Sequence, residues 1–205
     1  MSNAQLVTTK KNGGEKQASY VFAIAGVSIP VGFINDDWAG ISASSGPIIT
    51  LGYHYFYNKR WGMGMVASGS IHQAKSSTST RIYSSTYSST GNWQKAQAYI
   101  SASYTPILRK RWCLDIVQGI GLFYMKQPSY VVIDQYNYSY NYPADNDWNT
   151  GYNIGAKGRV LLKDNIGLFA SLNYFYALGS RSNGAAGFNA IDCELGIVMN
   201  LKKSH

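Results

Sequence analysis

Ser70, His72 and Asp192 supply a hydroxyl, an imidazole and a carboxylate, the parts from which a nucleophilic acyl-transfer centre is assembled. Serine is abundant in this chain, and a histidine at the end of a segment usually has a structural explanation, so the trio does not by itself define an active site. A second set is ionic. Asp115, Lys157, Arg159, Asp192 and Glu194, with His54, are isolated ionisable groups inside otherwise uncharged stretches. A third set is aromatic. Tyr83 and Tyr87 sit in a Ser/Thr-rich stretch at 76–92, and Tyr136, Tyr138, Tyr140 and Tyr142 alternate with polar residues in 134–143. Tyrosine offers a large apolar face and a hydroxyl at small entropic cost, the profile of a recognition surface. No dinucleotide fingerprint, phosphate-binding loop, zinc or EF-hand spacing occurs, so neither a cofactor nor a metal is expected.

Composition narrows the class. The chain has 205 residues, with 18 Lys+Arg against 10 Asp+Glu and a net charge of +8. Charged residues make up 14%, against about 25% in soluble domains. The 45% apolar content excludes wholesale disorder, and the scattered Gly and Pro exclude a collagen-like repeat. No run approaches the roughly 18 apolar residues of a membrane-spanning helix. The basic residues are scattered, mainly in turns (Lys59, Arg60, Arg109, Lys110, Arg111, Lys163) and tails, without a nucleic-acid-binding motif, so no nucleic-acid partner is expected. Two cysteines are too few for a disulfide framework. Residues 1–17 read as a flexible polar tail without an apolar signal core; the opening Met-Ser-Asn-Ala reads as an added scar, and a signal peptide is expected in the precursor. Residues 202–205 read as a short tail.

The elements that must position these groups follow from a period of two. Ile166, Leu168, Ala170, Leu172, Tyr174 and Tyr176 alternate with smaller or polar residues, as do Ile191, Cys193, Leu195, Ile197, Met199 and Leu201. Such alternation predicts strands with one apolar face, and helix content near zero. Eight segments result: 18–31, 46–57, 61–75, 93–105, 112–126, 149–162, 166–178 and 189–201. Short connections at 58–60, 106–111 and 163–165 alternate with long ones near 32–45, 76–92, 127–148 and 179–188. All short turns then fall at one end, with both termini, and all long loops at the other.

Eight strands enclose an interior only wide enough for side chains. The polar face is built of Gly, Ser, Thr and Asn, whereas a water-facing surface is normally rich in Lys and Glu; the chain has two glutamates, Glu15 and Glu194. The apolar face is too large for such an interior and fits hydrocarbon outside. A strand of ~13 residues at ~3.3 Å per residue, tilted by ~40°, spans roughly 33 Å, enough for an apolar band ~25 Å tall. Aromatics gather where interface belts would lie: Tyr20, Tyr55, Tyr57, Trp61, Tyr104 and Trp112 near the short turns, and Trp93, Tyr124, Tyr152, Tyr174 and Tyr176 near the long loops. The expected architecture is therefore all-β, an eight-stranded antiparallel up-and-down transmembrane β-barrel over 18–201.

On that layout the chain resembles the small porin-like outer-membrane barrels of the OmpX type, with tight periplasmic turns, long extracellular loops and periplasmic termini. It departs from many of them in ending Met199-Asn200-Leu201-Lys202-Lys203-Ser204-His205, without a terminal aromatic residue. The resemblance implies a monomer in the bacterial outer membrane, in contact with lipid and lipopolysaccharide, and with another outer-membrane protein or a surface glycan as further partners. Parity predicts an inward ion network of Asp115, Lys157, Arg159, Asp192 and Glu194, plugging the lumen. Three roles remain open: a non-enzymatic envelope protein acting through its loops, alone or as a subunit; a lipid A acyltransferase or deacylase, for which Ser70, His72 and Asp192 would have to meet at the rim; and a narrow solute pore.

Overall fold

The computed structural model describes residues 18–31, 41–79, 85–89, 91–163, 165–178 and 189–201; the proposed tails, 1–17 and 202–205, lie outside them. Its strands are β1 (Ala18–Val31), β2 (Ile41–Ala43), β3 (Gly46–Phe56), β4 (Trp61–Ser79), β5 (Ser85–Ser88), β6 (Asn92–Leu108), β7 (Trp112–Gln127), β8 (Tyr130–Ile133), β9 (Ser139–Tyr142), β10 (Asp145–Leu161), β11 (Ile166–Ala177) and β12 (Asn189–Leu201). Eight of these close a ring in the order β1-β3-β4-β6-β7-β10-β11-β12, with β12 returning to β1. Every neighbour is antiparallel. Tyr20 faces His54 of β3 on one side and Asn200 of β12 on the other, which closes the wall. Both chain ends of the barrel lie beside the short turns.

The turns have local causes. Asn58 Oδ1 accepts from the backbone N–H of Arg60 and Trp61, both at 2.8 Å, and reverses the chain between β3 and β4. Leu162 N donates to Ile166 O across the β10–β11 turn. β6 runs past Pro106, three residues beyond the segment read from sequence, because the register shifts between Tyr104 and Ile107. That bulge takes up the proline, which has no ladder N–H to give. β4 and β10 also outrun their predicted segments, to Ser79 and from Asp145. Their extra lengths pair with β2, β5 and the end of β7. Four short strands, β2, β5, β8 and β9, were not expected individually. They lie in the long connections, and β8 with β9 forms a hairpin over part of the Tyr-rich stretch at 134–143.

Parity decides what each side chain meets. In β11 exposure and burial alternate at every residue. Outward positions are large and apolar: Leu195 is 71% exposed and Met65 65%. In water that surface would be a severe aggregation liability; in hydrocarbon it is the solvated face. Inward positions form two apolar layers. Tyr20, Phe22, Phe56, Phe169 and Val198 pack near the short turns, and Trp93, Phe123, Met125, Phe175 and Ala190 pack near the loops. Eight strands leave little room for such rings, and inward glycines create it. A Cβ at Gly52 would overlap the Phe22 ring, and one at Gly151 would overlap the Phe175 ring.

Gly52→Val should therefore destabilise the folded barrel by about 1–3 kcal/mol, read by urea unfolding in lipid vesicles, while the outward Ala102→Val stays near wild type. Leu195→Arg should cost about 2–4 kcal/mol in the same assay, the penalty of a cation near the bilayer midplane. An unaffected Leu195→Arg variant would mean that this parity does not face lipid.

Candidate functional site

The inward polar residues are held in place by the period of their strands, and they fall into separate groups. Near the short turns, Arg159 Nε donates to Asp115 Oδ2 at 3.0 Å and its NH2 nitrogen lies 3.0 Å from the same oxygen. Thr105 Oγ1 donates to Asp115 Oδ1 at 2.6 Å. The guanidinium lies over Tyr20, 4.3 Å from the ring centroid, and 5.1 Å from that of Phe56. His54 stacks on Tyr20, and its Nε2 is 2.7 Å from Ser103 Oγ. Charge, hydrogen bonds and ring faces thus satisfy one buried cation from several sides.

Lys157 does not join this pair. Its Nζ lies 5.0 Å from the Phe22 centroid and 6.0 Å from that of Phe169, and it has no hydrogen-bond partner among the described residues. Glu194 Oε2 accepts from Ser171 Oγ at 3.0 Å and Asn173 Nδ2 at 3.4 Å. Asp192 is bound by Lys95, with Nζ 3.3 Å from Oδ2. The single five-residue ion network expected from sequence is thus corrected to two distinct ion pairs, with Lys157 held over aromatic rings and Glu194 by neutral donors. Lys95 was missed. β6 is opposite β12 in the eight-strand ring, so its contact with Asp192 crosses the lumen and leaves no trace in sequence spacing.

The aromatic belt needs two corrections, both set by strand parity. Trp93 was assigned to the loop-side interface, as Tyr20 was to the turn side, but each is only 1% exposed and points inward. The outward face of β6 is Ala96, Ala98, Ile100 and Ala102, so an odd-numbered Trp93 must enter the lumen, where it packs with Phe123 and Met125. Tyr57, Trp61, Trp112, Tyr174 and Tyr176 are exposed on the outer face, and Tyr55 is half-buried there. Trp148, read as loop, also projects outward and packs on Tyr124 with centroids 5.2 Å apart.

Ser70 and His72 meet: Oγ and Nε2 are 2.9 Å apart, and His72 Nδ1 lies 2.9 Å from the carbonyl oxygen of Ser44. A carbonyl only accepts, so Nδ1 carries the proton and Nε2 accepts from Ser70. Both side chains are buried inside the wall. A lipid ester on the outer face does not reach them, and Asp192 is engaged by Lys95. Among the described residues no group of three or more His, Cys, Asp or Glu is placed to hold a metal ion.

Beyond the barrel the wall continues as a small sheet, in which the end of β4 pairs with β5, β5 with β8 and β8 with β9. Tyr130 stacks on Tyr142 with centroids 4.7 Å apart. The β8–β9 turn is fixed by Asp134, whose Oδ1 accepts from the N–H of Tyr136 and Tyr138 at 2.9 Å, and by Asn137 at φ 67°. Asparagine tolerates that left-handed backbone. Tyr136, Tyr138, Tyr140 and Tyr142 are all exposed. Tyr87 lies on β5, its backbone paired with Ser77 and Val132, and Tyr83 lies outside the described residues.

Removing one member of a buried pair strands the other. Asp115→Ala should cost about 3–5 kcal/mol in vesicle unfolding, whereas Asp115→Ala combined with Arg159→Met should cost clearly less than the two single changes summed. Strict additivity would show that the pair is not coupled.

No family model matches the sequence, and no curated protein is similar to it by sequence. Solved structures are similar in fold. Neisserial surface protein A is 13% identical with a TM-score of 0.54, covering 92% of this chain and 99% of its own. A major outer membrane protein from Thermus thermophilus is 9% identical with a TM-score of 0.52, covering 90% of this chain and 99% of its own. Closed ring, outward apolar parity and these likenesses agree: the chain has the fold of the small outer-membrane proteins, an eight-stranded antiparallel transmembrane β-barrel.

Proposed function

We propose that this chain is a monomeric, non-enzymatic protein of the bacterial outer membrane, in which a plugged barrel anchors a recognition surface built at the loop end. The observation that carries this reading is the sheet of β4, β5, β8 and β9 standing beyond the barrel, with Tyr136, Tyr138, Tyr140 and Tyr142 exposed along its outer hairpin. The long loops face outward and the short turns, with both termini, face the periplasm, as the asymmetry of turn and loop length implies. The partner is a surface glycan or a neighbouring outer-membrane protein. Two filled aromatic layers and two ion pairs support a plug rather than a pore. The inward placement of Ser70 and His72 supports a role other than acyl transfer to lipid.

A protease site inserted at 135–137 tests the orientation. Cleavage in intact cells is the expected result, and cleavage only after the outer membrane is broken would reverse it. In planar bilayers neither the wild type nor Glu194→Ala should show a defined open channel, although Glu194→Ala should be less stable. Replacing Tyr136, Tyr138, Tyr140 and Tyr142 together with Ser should abolish capture of glycans on an array or of solubilised outer-membrane proteins while the barrel still folds. Wild-type conductance of defined size, or an altered acyl pattern of lipid A on expression, would overturn the reading.

A further inference from the structure

The outer wall is not uniformly bulky. Where β4 and β6 pair, the outward residues are Ala67 opposite Ala98 and Gly69 opposite Ala96. A Cβ on Gly69 would meet only the carbonyl oxygen of Lys95, at 3.7 Å. Ile49 and Leu51 of β3 rise on one side of this floor, and Leu122 and Trp148 on the other. The result is a groove of about 580 Å³, continued towards the loop end by a hollow of about 390 Å³ bordered by Ile71, Gln94 and Tyr124. Its walls are apolar and its width is set by the loss of side chains on two adjacent strands. That suits a single acyl chain, and what sets this groove apart from the other hollows of the outer wall is the charge above it.

The charges above the groove are placed independently of it. Among the described residues, Lys95, Lys157 and Arg159 point into the lumen, and Lys59, Arg60, Arg109, Lys110, Arg111 and Lys163 lie in the short turns. Of the described cations, only Lys75 and Lys126 stand on outward positions at the loop end, and both belong to the strands that form this face. Lys126 is directly opposite Gln94, which is opposite Ile71; Gln73 and Asn92 pair one step higher. Neither lysine is ion-paired among the described residues. The nearby carboxylates of Asp145 and Asp147 are taken up by the backbone N–H of Asn146 and by the Asn149 amide. Two cations and a row of amides therefore sit at headgroup height over one apolar channel.

We infer that the outward face of β4, β6 and β7 is a binding site for lipid A, the phosphorylated saccharolipid of the outer leaflet. One acyl chain lies along Ala67, Gly69, Ala96 and Ala98. Lys126 and Lys75, set at different heights by the register, each meet one of its phosphates, and the sugar hydroxyls meet Gln73, Asn92 and Gln94. This deepens the proposed function and rests on its orientation, since only an outward loop end brings these lysines to that leaflet.

Native mass spectrometry of the full chain in detergent, titrated with diphosphoryl lipid A, tests the site. The wild type should retain one lipid. Lys75→Gln with Lys126→Gln should weaken retention by about tenfold or more, and Ala98→Leu, which fills the groove, should weaken it comparably. Dephosphorylated lipid A and phosphatidylglycerol should both be retained less well than diphosphoryl lipid A, and Lys163→Gln at the opposite end should bind as wild type does. All these changes face lipid or water, and unchanged heat-modifiable mobility confirms folding. Wild-type retention by either the double lysine variant or Ala98→Leu, or equal retention of phosphatidylglycerol, would overturn the inference. Binding in detergent does not depend on topology, so failure here and failure of loop cleavage on intact cells are separate results.

Discussion

A backbone N–H or C=O left unpaired in hydrocarbon costs several kcal/mol, and no water is at hand to take its place. Every other feature of this barrel follows from meeting that demand with strands. The wall must close, so Tyr20 is paired on both sides. Once it is closed, the two faces of each strand see different solvents, and a residue's parity fixes whether it meets lipid or lumen. A one-residue slip in any strand would bring its polar side chains out into hydrocarbon, so the same demand that closes the wall also fixes the register.

The lumen is the complementary problem. It is narrow, and the side chains that fill it are both bulky and polar. Gly52 and Gly151 make space for the rings of Phe22 and Phe175, and the rings in turn shield charges that would otherwise need water. Arg159 illustrates the solution: one carboxylate, reinforced by Thr105, and two aromatic faces surround it. Lys95 reaches Asp192 from the opposite wall and also lies 4.9 Å from the Phe175 centroid. The Lys95–Asp192 tie joins strands that share no backbone hydrogen bonds, so it holds the barrel's cross-section where the ladder alone does not.

The eight long strands were legible because their period of two is enforced by lipid on one side. Asp115 and Arg159 could be read as neighbours, since a single connection joins their strands and both stand at similar height above the short turns. Lys95 and Asp192 could not. Their meeting depends on the stagger of the whole ring, which no local pattern records. Trp93 shows what happens when position along a strand is weighed above parity: a residue near the loop end looked like a belt aromatic, although its even-numbered neighbours already claimed the outer face. The short strands β5, β8 and β9 were obscured for another reason. They pair beyond the membrane, where neither face is held to an apolar pattern, so Ser/Thr-rich and Tyr-rich stretches carry little signal of strand.

The alternation of lipid contact along one strand is directly measurable. With Cys113 and Cys193 replaced by alanine, single cysteines placed at 63, 65, 67, 99, 100, 101, 194 and 195 and spin-labelled in vesicles should divide by parity. Labels at 63, 65, 67, 100 and 195 should collide readily with dissolved oxygen, as lipid-exposed sites do, and those at 99, 101 and 194 should not. Uniform accessibility, or the opposite division, would contradict a barrel whose apolar face meets hydrocarbon.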